Sequence, residues 1–310
     1  MERAEASPIY GCIEAGGTKF VIGVVNGQGD VLAEARIGTT TPEETLRACV
    51  DWLERAQDRL GPLTALGVAS FGPVELDPAS ASWGYITSTP KDGWSHTDLA
   101  GRFVRAFGLP VGFDTDVNGA ARAEALWGAG RDQKISAYLT IGTGIGGGVM
   151  VDGAPLQGLS HPEIGHFRPP RHADDLHFSG VCPFHGDCHE GLASGPAIQA
   201  RWGCELSDLP PDHPAHDIIA WYLAHLTIAL QAMLEPGRII MGGGVMETPG
   251  LLAQVRQAAT RLGGGYFKGR SEDVIVPPML GKRLGLLAGL ALALDAEKAP
   301  YPARPSAVIR

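Results

Sequence analysis

Apolar residues run in short blocks punctuated by glycine, and these blocks predict most of the regular elements. Ile9–Ala15 reads as a strand, Gly16-Gly17-Thr18-Lys19 as a turn and Phe20–Val25 as a returning strand. Asn26-Gly27 opens another turn, and Val31–Ile37 is a third strand. Thr41 predicts a helix N-cap, with Pro42 at the first position and Glu44 completing a capping box. Leu46, Cys49, Val50, Leu53, Ala56 and Leu60 recur at helical spacing and form its apolar face. Ala65–Phe71 is a further strand, ending at Gly72-Pro73.

The same order recurs later. Ile135–Ile141 is a strand, Gly142-Thr143-Gly144 a turn and Gly147–Val151 a strand, with Asp152-Gly153 as a hairpin signal. Strand, Gly/Thr turn, strand, twice over, predicts an internally duplicated α/β protein with a site between its halves. Val111–Phe113 is a strand and Asn118–Trp127 a helix ended by Gly128. Asp217–Leu234 is a long helix, and Arg238–Met241 a short strand running into Gly242-Gly243-Gly244. Leu284–Asp295 is a final helix and Ala299–Arg310 a loose tail. The expected division is an N-terminal domain over 1–118 and a C-terminal one over 119–283, with the last helix, about 284–298, packing back on the first.

Composition narrows the function classes. A net charge of −9 lacks the basic footprint of a nucleic-acid binder. No apolar run reads as long enough to cross a membrane, and Met1–Pro8 carries no signal-peptide core. Cys12, Cys49 and Cys204 are scattered, which fits a reducing compartment, so the expected location is cytoplasmic.

Three constellations carry candidate chemistry. Gly142, Gly144 and Gly147 match the dinucleotide pattern G-x-G-x-x-G, but the loop runs into a strand where that fold needs a helix. A hairpin turn whose bare amides and threonine hydroxyl hold phosphate is the better reading, and Gly16-Gly17-Thr18 makes a second such turn. The plain alternative is two ordinary glycine-rich hairpins. Asp116 stands after a strand where ligands bind in α/β proteins and can accept a proton; alternatively it is only a helix N-cap, and Asp114 is a rival for either role. Finally, Cys182, His185 and Cys188 are spaced by three, with His166 upstream. Two thiols and two imidazoles at these spacings can close a tetrahedral zinc shell, structural rather than catalytic because it is full; the plain alternative is a pair of buried thiols with surface histidines. Glu163 and Glu190 flank these ligands; His161, His172, His177 and His189 are rivals for the histidine positions.

Taken together, these segments closely resemble the ROK family of sugar kinases, and within it the bacterial fructokinases. Glu14-Ala15-Gly16-Gly17-Thr18-Lys19 is similar to the family's first phosphate loop, although most members have Asp in place of Glu14. Thr89-Pro90-Lys91-Asp92-Gly93-Trp94 resembles the sugar-side loop, and Ile141–Gly146 the second phosphate loop. Glu163-Ile164-Gly165-His166 and Cys182-Pro183-Phe184-His185-Gly186-Asp187-Cys188 resemble the sugar-and-zinc segments. The resemblance implies a two-domain actin-like ATPase (RNase-H-like) fold with an interdomain cleft. It implies ATP-dependent phosphorylation of D-fructose at the 6-hydroxyl, with Asp116 as base. Sugar contacts would come from Thr115, Glu163, His166, Glu190 and Lys91. Phosphate and nucleotide contacts would come from Gly16, Gly17, Thr18, Lys19, Thr143, Gly144, Gly195, Gly243 and Gly244. ATP, Mg²⁺ and a structural Zn²⁺ are the implied cofactors, and a homodimer the implied assembly. Kinases preferring glucose, mannose or an N-acetylhexosamine remain open, as does a sugar-sensing ROK regulator; the chain before Ile9 reads as too short for that regulator's helix-turn-helix.

Overall fold

The computed structural model describes residues 7–298; the expected tail Ala299–Arg310 lies outside the described residues. The described residues form two compact units. One holds the chain up to Ala123, Leu159–His161 and the segment from Leu280; the other holds Glu124–Gly158 and Pro162–Met279.

In the first unit the elements are β1 (Ile9–Ala15), β2 (Lys19–Asn26), β3 (Val31–Gly38), α1 (Pro42–Leu60), β4 (Ala65–Ser70), β5 (Tyr85–Ile86), β6 (Thr97–Asp98), α2 (Leu99–Phe107), β7 (Val111–Thr115) and the start of α3 (Asp116–Trp127). The sheet order is β3-β2-β1-β4-β7. β1 and β2 form an antiparallel hairpin closed by Ala15 opposite Phe20, while β4 runs parallel to both β1 and β7. β1 is buried on both faces, which explains its near-continuous apolar run. Leu46, Cys49 and Leu53 of α1 join Ile13, Phe20 and Ile22 in one core. A second cluster joins Leu286, Leu287 and Leu290 of the final helix, Leu284–Lys298, to Tyr10, Cys12 and Val25. The capping box at Thr41 is only half formed. Thr41 accepts the Glu44 N–H at 3.4 Å, but the Glu44 carboxylate takes the Thr40 hydroxyl at 2.9 Å.

In the second unit follow β8 (Ile135–Ile141), β9 (Ile145–Val151), β10 (Ala154–Pro155), α4 (His189–Ala193), α5 (Gly195–Trp202), α6 (Pro214–Leu234), β11 (Arg238–Gly242), α7 (Leu251–Gly263), α8 (Ser271–Val274) and β12 (Ile275–Val276); the final helix is α9. The order β10-β9-β8-β11-β12 repeats that of the first sheet, again an antiparallel hairpin followed by parallel neighbours. The duplication expected from the repeated Gly/Thr turns is therefore present in the topology. One expectation needs correcting: α6 is long and apolar enough, by length and composition alone, to cross a membrane. Ile219, Leu223, Leu226 and Leu230 are buried in the core of the unit, so its apolarity is that of a central helix.

Candidate functional site

In the first unit, the junction of β7 and α3 carries two carboxylates with different surroundings. Asp114 is buried; its Oδ1 accepts the Thr115 N–H and the Asn118 side-chain amide, both at 2.7 Å. Burial pushes its carboxyl up to about 6, against the pull of those hydrogen bonds and the nearby His161. Asp116 is half-buried and accepts the Val117 N–H at 2.9 Å. It is not the N-cap. That role belongs to Thr115, whose hydroxyl accepts the Asn118 N–H at 3.1 Å. Thr115, nominated for the sugar, is also buried, and its hydroxyl oxygen serves as this cap.

The turn between β1 and β2 is held from below. Gly16 N–H donates to Lys19 O, while Thr39 donates its hydroxyl to Gly16 O and its N–H to Thr18 O. The N–H groups of Gly17 and Thr18 find no acceptor among the described residues. Lys19 is exposed at the start of β2. Beside it, burial raises the Glu14 carboxyl, and Lys19 partly offsets the shift. Lys91 lies half-buried in a loop anchored by Trp94, which is fully buried, donates Nε1–H to Thr40 O at 2.9 Å and packs on Phe20.

The second unit gathers the remaining nominated residues in two groups. Gly142–Gly144 closes the β8–β9 hairpin, and no acceptor among the described residues takes the N–H of Thr143 or Gly144. Gly195 N–H donates to Gly142 O at 2.7 Å. The loop after β11 brings in Gly243 and Gly244, and a Cβ on Gly142 would lie 3.9 Å from Gly244 N.

The second group is the thiol–imidazole cluster. The donor atoms of His166, Cys182, His185 and Cys188 all lie within 4.8 Å of one another. His166 Nδ1 stands 3.7 Å from both thiols and 3.2 Å from His185 Nδ1; Cys182 Sγ is 3.6 Å from His185 Nδ1. Bonds of about 2.3 Å to sulfur and about 2.0–2.1 Å to nitrogen give a zinc tetrahedron S···N edges of about 3.6 Å and an N···N edge of about 3.3 Å. The residues present fit that ion. The rival histidines are placed elsewhere: His161 Nε2 accepts the Val74 N–H, His172 faces Asp217, and buried His189 binds Phe167 O. His177 is exposed and absent from the cluster.

His166 joins this cluster to the carboxylates. With Nδ1 among the thiols, its Nε2 lies 3.9 Å from both Glu163 and Glu190. Gly165 makes the placement possible, since a Cβ there would meet Ile145 O at 2.0 Å. The loop has a further brace with no local sequence signal. Arg168 bonds Asp187 and His185 O, and Arg171 reaches Asp187 and the Tyr222 hydroxyl. Tyr222 in turn donates to buried Asp175, which pairs bidentately with Arg201.

Two sheets of one topology, each with a Gly/Thr hairpin turn of unspent amides, define an α/β protein of the actin-like ATPase class. The ROK family model matches residues 10–296, and the chain belongs to the ROK family. It is 50% identical over 293 residues to a fructokinase of Zymomonas mobilis, spanning 93% of this chain and 97% of that protein. It is 42% identical over 261 residues to a fructokinase of Lactococcus lactis, spanning 84% and 87%. Among solved structures, a ROK hexokinase from Thermus thermophilus superposes with a TM-score of 0.75 at 27% identity, over 94% of this chain and 99% of that one.

Proposed function

We propose that the chain is a fructokinase, transferring the γ-phosphoryl group of ATP to the 6-hydroxyl of D-fructose. The observation that carries this is 50% identity to the Zymomonas fructokinase along 93% of the chain. Asp116 is assigned the proton of the attacking hydroxyl: it is the more accessible carboxylate at the end of β7, whereas Asp114 is buried among fixed donors. The unspent amides of Gly17, Thr18, Thr143 and Gly144 suit phosphate oxygens. Magnesium arriving with ATP would neutralise charge on the phosphates, so the protein's task is mainly positioning. Glu163 and Glu190 accept sugar hydroxyls through charge-assisted hydrogen bonds. His166, Cys182, His185 and Cys188 would hold zinc, which fills its shell with protein ligands and supplies orientation rather than chemistry. A homodimer is the assembly the family suggests.

Product analysis by phosphorus NMR tests the assignment. Wild-type protein with ATP, magnesium and fructose should yield fructose 6-phosphate, and Asp116→Asn should lower kcat by roughly a hundredfold or more with fructose binding retained. A phosphate at another hydroxyl, or near-normal turnover of the variant, would remove Asp116 from the role of base at the 6-position.

A further inference from the structure

Glu190 touches both groups in the second unit. Its Oε2 accepts the Ile145 N–H at 3.0 Å, immediately after the phosphate turn. Its Oε1 stands 3.9 Å from His166 Nε2. Gly144 leaves room for this, because a Cβ there would lie 2.7 Å from Oε2. The carboxylate is set by α4, whose N-cap is Cys188, with the Cys188 thiol accepting the Gly191 N–H at 3.4 Å. Ser194 ends α4 and caps α5, and Gly195 then grips the other end of the same turn through Gly142 O. The two ends of the phosphate turn are thus held from one short helical corner, and only one of the two grips is a side chain.

We infer that Glu190 is a positioning residue for the nucleotide as well as a sugar ligand, clamping the Gly142–Gly144 turn and coupling sugar occupancy to its set. This rests on the sugar and ATP roles proposed above. A carboxylate has two oxygens and about four lone-pair sites. One oxygen serves the backbone while a sugar hydroxyl takes the other, and a bound sugar then restrains the rotation that would release Ile145. Such coupling is reciprocal, so the nucleotide tightens the sugar by the same factor.

The test is titration calorimetry with a non-hydrolysable ATP analogue and magnesium, with and without fructose. Glu190→Ala should bind the analogue about fivefold or more weakly even without fructose, because the Ile145 N–H loses its acceptor. Glu190→Gln keeps an oxygen for that N–H, so its analogue affinity without fructose should stay within about twofold of wild type while fructose binding falls about tenfold or more. Fructose should change analogue affinity in wild type and not in either variant. Wild-type analogue affinity in Glu190→Ala, or an equal loss in a folded Glu190→Gln, overturns the clamp. If the alanine variant fails to fold, the glutamine variant decides through the fructose effect: its loss supports the coupling, and an effect equal to wild type at saturating fructose overturns it. If fructose fails to bind wild type while Glu190→Ala still weakens the analogue, the sugar assignment falls and the clamp stands.

Discussion

Replacing Cys182 by serine removes one corner of a cluster whose S···N distances of 3.6–3.7 Å match a zinc tetrahedron. A zinc ion held there would be left with an incomplete shell, and His166 would lose the bond that fixes its ring. Its Nε2 lies 3.9 Å from Glu163 and from Glu190 Oε1, so freedom in that ring would become freedom in Glu163 and in the Oε1 arm of Glu190, while Oε2 stays on the Ile145 N–H. A hydrogen bond to a charged group contributes about 1.5–3 kcal/mol, so misplacing one sugar–carboxylate contact costs a factor of about 10–150 in affinity. The fructose KM of Cys182→Ser should therefore rise by about tenfold or more. Binding of an ATP analogue without sugar should change by less than about threefold, because the Glu190–Ile145 bond needs no metal. Metal analysis of the freshly purified proteins and steady-state kinetics check both parts. Wild-type protein without zinc, or a zinc-free variant with an unchanged fructose KM, would refute the brace.

Asp114 offers a pH test. Its folded value of about 6 lies above the ordinary 3.8, so stability is greatest below pH 4 with respect to this group and falls as pH rises through 6. Two units correspond to about 3 kcal/mol, and Asp114→Asn should flatten the dependence of Tm on pH between 4 and 6; an unchanged slope would contradict this. Trp94→Phe removes the bond to Thr40 O and should cost about 1–3 kcal/mol in a denaturant melt. It should also raise the fructose KM through the Lys91 loop; wild-type stability and kinetics would separate that loop from the sugar.

Much of the fold was legible where burial and glycine punctuation agree. β1 and β8 match their expected bounds to the residue, because both are buried runs closed by Gly/Thr turns. The starts of helices were less legible. α6 begins at Pro214, three residues before the expected Asp217, because His213 caps it through Nδ1, a residue outside the usual capping set. α3 begins at Asp116 because Thr115 takes the cap that Asp116 was a candidate for. Three members of the thiol–imidazole cluster were readable from their spacing of three, whereas His166, sixteen residues upstream, had rivals that only the fold separates from it. The Arg168–Asp187 and Arg171–Tyr222 braces were not, because they join residues 19 and 51 positions apart with no repeating signal.

A coupled ADP-release assay on purified wild-type protein with fructose, glucose, mannose and N-acetylglucosamine decides whether the chain phosphorylates fructose. A fructokinase should show ATP-dependent turnover with kcat/KM for fructose at least about tenfold above each of the others. A higher value for any other sugar, or no fructose-dependent ADP release, would contradict that assignment.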